Sequence, residues 1–81
     1  MQVLLHPSAG KYLEHLNEPM KGRIKAALKN LEKEPLEGDI KPLAGQPGYF
    51  RLRVGSYRVL FRVAENIRVH KIATRGQAYK E

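Results

Sequence analysis

The sequence contains no cysteine. Disulfides and thiolate metal sites are therefore excluded. Its three histidines, His6, His15 and His70, lack the close spacing of a helical or hairpin metal site. No apolar run approaches the roughly 20 residues that a membrane span needs, and the opening MQVLLHPSAGK is too short in apolar residues for a signal peptide. A cytoplasmic protein is expected. Negative charge is also scarce: 8 acidic residues face 15 basic ones, for a net charge of +7. That excess favours a nucleic acid, an anionic membrane or an acidic protein as partner. The 81 residues suffice for one domain, residues 1–81, and not for two. A domain of this size buries about 60–65% of its unfolded surface, so its core is thin.

The most informative segment that is present is YFRLRVGSYRVLFRV, residues 49 to 63. Large apolar residues alternate with arginines there, and successive side chains of a strand point to opposite faces. Phe50, Leu52 and Val54 share one face, with Tyr49, Arg51 and Arg53 on the other. After a turn at Gly55-Ser56, Val59, Phe61 and Val63 face the core, and Arg58 and Arg62 face away. The predicted hairpin builds half a hydrophobic core and a row of guanidinium groups behind it. Guanidinium keeps its charge at physiological pH and matches phosphate with a fork of donors. Such a face suits a polyanion, RNA foremost.

The rest of the chain supplies the other half of the core. Residues 2 to 6 predict a strand, and Ser8 after Pro7 is the expected helix N-cap. Ala9, Tyr12, Leu13 and Leu16 then form an amphipathic stripe. Pro19 is placed to start a second helix, whose apolar side is Met20, Ile24, Ala27, Leu28 and Leu31 and which Pro35 ends. Residues 35 to 48, with three prolines and three glycines, read as an ordered loop pinned by Ile40 and Leu43. A turn at Glu65-Asn66 leads to a last strand, residues 67 to 73, with Ile67 and Val69 inward and Arg68 and His70 on the arginine face. Lys71 breaks the alternation on the core side. The tail from Thr74 to Glu81 is polar. The fold class is α+β in the order β-α-α-β-β-β: a small, largely antiparallel sheet with two helices packed on one face and the other face open.

Several of these residues carry a family pattern. A loop ending in Leu43-Ala44-Gly45, the strand Tyr49-Phe50-Arg51-Leu52-Arg53-Val54, the Gly55-Ser56 turn, Tyr57-Arg58-Val59 and a terminal Arg75-x-x-x-Tyr79 resemble the RelE toxins of bacterial and archaeal toxin–antitoxin pairs. These lie within the wider RelE/ParE superfamily. The resemblance covers the C-terminal half closely, and the helical half in order and length. It implies an mRNA endoribonuclease acting in the ribosomal A site, with no metal and no cofactor, neutralised by an antitoxin. The reaction would be attack of a ribose 2′-OH on the adjacent phosphodiester, giving a 2′,3′-cyclic phosphate and a 5′-OH.

The resemblance also assigns roles by position. Arg58 matches the arginine that binds the scissile phosphate. Arg75 matches the general acid or charge stabiliser, and Tyr79 the tyrosine that stacks on a base or orients the nucleophile. Arg51 and Arg53 stand where well-known members carry lysines. Arginine, with a pKa above about 12, is a poor general base and a good phosphate clamp. His70 is the one titratable candidate base near neutral pH on the arginine face. Thr74 replaces the histidine or lysine that many relatives carry before Arg75. Arg62 and Arg68 extend the basic face, and Lys21, Arg23, Lys25 and Lys29 carry it onto the second helix for contacts to RNA phosphates of the ribosome. His6 and His15 are expected to be structural or exposed.

Two other readings share this scaffold: a ParE-like inhibitor of DNA gyrase that cleaves nothing, and a catalytically weak member kept for binding antitoxin or RNA. The free chain is expected to be a monomer and its antitoxin acidic and amphipathic. The nuclease reading requires Arg51, Arg53, Arg58 and Arg75 to gather where one phosphate can sit.

Overall fold

The computed structural model describes residues 1–80; Glu81, the last residue of the polar tail, lies outside the described residues. The elements follow in the order β1 (Val3–Leu5), α1 (Pro7–Glu14), α2 (Met20–Asn30), β2 (Asp39–Pro42), β3 (Tyr49–Val54), β4 (Tyr57–Val63) and β5 (Ile67–Thr74). The strands form one sheet in the order β1-β5-β4-β3-β2. β1 runs parallel to β5, and all other neighbours are antiparallel. The α+β architecture with helices on one face is as expected, with one strand more than the sequence suggested.

That extra strand is β2. The segment expected to be a loop pairs along β3, with Ile40 opposite Leu52 and Pro42 opposite Phe50. Its prolines and glycines concealed it. Pro42 is tolerated because β2 is an edge strand, where a missing N–H faces no further neighbour.

The hairpin of β3 and β4 turns at Gly55-Ser56, with Val54 opposite Tyr57. Gly55 takes a φ of +58° while no non-glycine residue is positive, the pattern of a II′ turn with glycine in its first central position. Leu52, Val59 and Phe61 are fully buried and meet Ile24 and Leu28 of α2, Leu13 of α1, and Ile67 and Val69 of β5 in one core. Phe50 stacks on Phe61 with ring centroids 5.7 Å apart. Tyr12 of α1 meets Tyr57 edge to face at 6.4 Å, and burial, then the neighbouring Tyr57, push its phenol pKa up.

The helix ends differ in detail from expectation. The N-cap of α1 is His6, not Ser8: its Nδ1 accepts the Ser8 N–H at 3.1 Å, and Pro7 takes the first helical position. An imidazole nitrogen does the work usually given to a hydroxyl, because Pro7 fixes the φ that starts the helix two residues earlier. α2 stops at Asn30, before Pro35, and Leu31 closes it while still buried in the core. The two helices are tied by Glu14, whose carboxylate lies 3.3 Å from Lys21 Nζ and 3.7 Å from Lys25 Nζ. The hydrogen bond from Lys21, then the charges of Lys21 and Lys25, hold the Glu14 carboxyl below its ordinary pKa. Among the described residues no helix is long and apolar enough to cross a membrane.

A β-bulge corrects the reading of β5. Leu60 pairs with Lys71, yet Phe61 pairs with Val69, so His70 is an extra residue. The insertion turns Lys71 from the core side to the side shared by Arg58 and Arg62. The break in alternation at Lys71 is thus the trace of the bulge and not a cation in the core.

The register predicts that neighbouring residues of β4 differ sharply. Phe61→Ala should lower the unfolding free energy by about 3–5 kcal/mol in a urea titration, and Leu60→Ala, on the opposite face and only partly buried, by much less. Because the Glu14 pKa is depressed in the folded state, its contribution is present above the ordinary glutamate pKa and is lost as pH falls through the lowered value. Glu14→Gln should flatten that part of the acid limb of a stability-against-pH curve.

Candidate phosphate-binding face

The face of the sheet turned away from the helices is set by the pairing. Arg53 stands opposite Arg58, Tyr49 opposite Arg62, and Arg62 opposite Arg68. Like charges directly opposite one another on a sheet are unfavourable by about 0.2–1 kcal/mol a pair. Two such arginine pairs therefore stand on one face, and their repulsion would be relieved by a bound polyanion.

The arginines at the hairpin tip are held differently from one another. Arg58 is 9% exposed. Its Nη1 donates to the carbonyls of Gly55 at 3.1 Å and Tyr57 at 3.0 Å. Backbone carbonyls of its own turn thus fix the guanidinium, a constraint not visible in the sequence. Arg53 is exposed. Arg75 reaches the same tip through its backbone, its N–H donating to Ser56 O at 2.8 Å, while the residue itself is exposed. Among the described residues none of Arg53, Arg58 and Arg75 forms an ion pair with a carboxylate. Arg23 of α2 joins them: a Cβ on Gly55 would lie 3.7 Å from its Nη1. Of the four α2 cations expected to extend the basic face, Arg23 is thus one that lies against the hairpin turn.

Arg51 is set apart. Its side chain is 15% exposed and its Nη1 meets Asp39 Oδ1 at 3.2 Å and Asp39 O at 3.0 Å. The β2 strand missed in the sequence brings this carboxylate, directly opposite Arg53, to Arg51. Lys41 stands opposite Arg51 on the same face, a further cation that the sequence reading did not single out.

His70 does not join the tip. Its bulge lies three residues along β5 from Ala73, the partner of Arg58, a displacement of about 10 Å along the strand. Its ring packs on Tyr49 with centroids 5.4 Å apart, and the Arg62 guanidinium lies over the same Tyr49 ring at 5.7 Å. Arg62, Arg68 and His70 form the far end of the open face.

The lysines of α2 do not continue this face, because α2 packs on the other side of the sheet. Lys21 and Lys25 are engaged with Glu14, and Lys29 is exposed. Among the described residues no cluster of three or more histidine and acidic residues is arranged to hold a metal ion.

The tail folds back along β5. Gln77 N–H and Ala78 N–H both donate to Thr74 O, at 3.0 and 2.9 Å. Ala78 is 2% exposed, whereas Tyr79 is 56% exposed. The tyrosine ring is thus presented to solvent, free to stack on a base. Lys71 Nζ donates to the carbonyls of Gln77 at 3.0 Å and Lys80 at 2.8 Å.

Comparison with known proteins bears on the family and the fold. A family model described as the ParE toxin of type II toxin–antitoxin systems, parDE, matches residues 3–79. Among curated proteins no sequence matches. Among solved structures, the RelE chain of the RelB–RelE antitoxin–toxin complex from Methanococcus jannaschii is 28% identical, with 94% of each chain covered and a TM-score of 0.79. The archaeal RelE–RelB complex from Pyrococcus horikoshii OT3 matches at 29% identity over 95% of this chain and 97% of that one, with a TM-score of 0.79. The isolated Escherichia coli RelE toxin, at 17% identity, 90% and 82% coverage and a TM-score of 0.77, shares the fold. With its mixed five-stranded sheet, its two helices on one side and its arginine-bearing hairpin, the chain belongs to the ParE-toxin family within the RelE/ParE superfamily, and is a toxin of a type II toxin–antitoxin system.

Proposed function

We propose that the protein is a ribosome-dependent mRNA endoribonuclease of the RelE kind, kept inactive by a cognate antitoxin. The observation that carries this reading is the hairpin tip: Arg53 opposite Arg58, with Arg75 tethered at Ser56 and no carboxylate partner for any of the three among the described residues. The likeness to RelE chains seen in complex with RelB supports an antitoxin partner. The net charge of +7 suits an acidic partner and ribosomal RNA alike.

In the proposed reaction the 2′-OH oxygen attacks phosphorus and gives its proton to water, the bond from phosphorus to the 5′ oxygen breaks, and the leaving oxygen takes a proton from water. Charge accumulates on the phosphorane oxygens. Arg58, with its guanidinium already fixed by Gly55 O and Tyr57 O, needs little reorganisation to receive that charge. Arg53 and Arg75 supply further donors from either side of the tip. None of these groups accepts the 2′-OH proton at neutral pH, since guanidinium stays protonated. The protein's share of catalysis is then positioning and charge, with the ribosome holding the mRNA in its attack geometry. Arg51, held by Asp39, serves to brace the tip. Arg62 and Arg68 steer the RNA backbone along the open face.

A second reading, a non-cleaving inhibitor of DNA gyrase, draws on the family description. One pair of assays separates the two. Purified ribosomes carrying mRNA should yield fragments with 5′-OH ends, cut within A-site codons, and Arg58→Ala should reduce the cutting rate by about 10²–10³-fold. His70→Ala, altered about 10 Å along the strand from Arg58, should cut at nearly the wild-type rate. Intact mRNA together with inhibited supercoiling by gyrase would overturn the nuclease reading in favour of the second.

A further inference from the structure

The pentapeptide that carries Arg75 and Tyr79 is too short to hold a helical turn by itself, because nucleating a turn fixes several residues for very few hydrogen bonds. Something outside it must hold it. Its start is fixed by Arg75 N–H on Ser56 O, and its middle by the burial of Ala78. At its end the Lys80 N–H donates to Gln77 O at 3.2 Å, and one side chain adds to this: Lys71 Nζ donates to Gln77 O and Lys80 O, the carbonyls with which the turn finishes. A cation at the carbonyl end of a helical turn hydrogen-bonds its last carbonyls and meets the negative end of its dipole.

We propose that Lys71 is a positioning residue for the proposed cleavage: its ammonium locks the terminal turn so that Arg75 and Tyr79 are presented beside Arg58, and the bulge at His70 exists in this chain to aim Lys71 there. The inference rests on the nuclease reading for its consequence, though not for the clamp itself. Without the extra residue at position 70, the alternation of β5 would turn Lys71 into the core, where an unpaired ammonium is costly. With it, the lysine finds two carbonyls and no carboxylate among the described residues. Its role is geometric: two of the three Nζ hydrogens are engaged by the tail.

The test uses the full chain and has two arms. In the first, amide hydrogen exchange is followed in Lys71→Met and Lys71→Gln. The amides of Gln77, Ala78 and Lys80 should exchange faster, those of β3 and β4 should hold their protection, and Lys71→Arg should restore the tail. Unchanged exchange in the tail of whichever variant folds overturns the clamp. In the second arm, ribosome-dependent cutting is measured for Lys71→Met alone and in combination with Arg75→Ala. A misplaced Arg75 should reduce kcat by about 10–100-fold with KM little altered, and Lys71→Met should cost much less once Arg75 is gone, only Tyr79 then remaining to be misplaced. Equal losses on both backgrounds would overturn positioning and make Lys71 an independent RNA contact. If the wild-type chain cuts no mRNA, the nuclease reading fails and with it the catalytic consequence, and the exchange arm still decides the clamp.

Discussion

The register between β3 and β4 is the constraint on which the molecule depends. A slip of one residue would turn either Leu52 of β3 or Val59 and Phe61 of β4 to solvent, and the neighbouring arginines of that strand into the core. Each large apolar side chain is favoured inside by about 1.5–3 kcal/mol. Against this stand two arginine pairs set face to face, each unfavourable by about 0.2–1 kcal/mol. Burial wins by a wide margin, so the core can hold the arginines in a mutually repelling row. The row is therefore a by-product that packing can sustain and that a polyanion can use.

The same sheet then differentiates arginines that look equivalent along the chain. Arg51 is drawn to Asp39 by the edge strand β2. Arg58 is turned onto the carbonyls of the Gly55 turn. Arg53 and Arg75 stay exposed. A guanidinium held by neutral carbonyls keeps its full charge available, whereas one paired with a carboxylate is partly neutralised. Arg62 and Arg68 at the far end are likewise exposed and without a carboxylate partner among the described residues. A scaffold does not by itself fix an action, so what distinguishes this chain lies in these local arrangements.

The tail shows how a single inserted residue can couple distant parts. His70 shifts the alternation of β5, Lys71 changes face, and its ammonium meets the carbonyls of the terminal turn. Bulges commonly re-aim a side chain beside a functional site. The bulge separates the open face into a tip containing Arg53, Arg58 and Arg75 and a far end containing Tyr49, Arg62, Arg68 and His70.

The sequence by itself determined the hairpin, its two faces and the helical stripes, because period-2 and helical spacing of apolar residues are local properties of the chain; the family was legible as a resemblance of motifs. Ile24, Leu28, Leu52 and Phe61 are core residues in both the pattern and the structure. Only the tertiary structure decided the rest. Strand β2 was hidden because its pairing, not its composition, makes it a strand. The bulge left only an unexplained lysine, since register depends on the partner strand. The Arg51–Asp39 pair joins residues 12 apart in sequence, and the Lys71 contacts to the tail form only when the chain doubles back. Which charge is paired, which is free and which is aimed are relations between segments, and they come into being only when the segments meet.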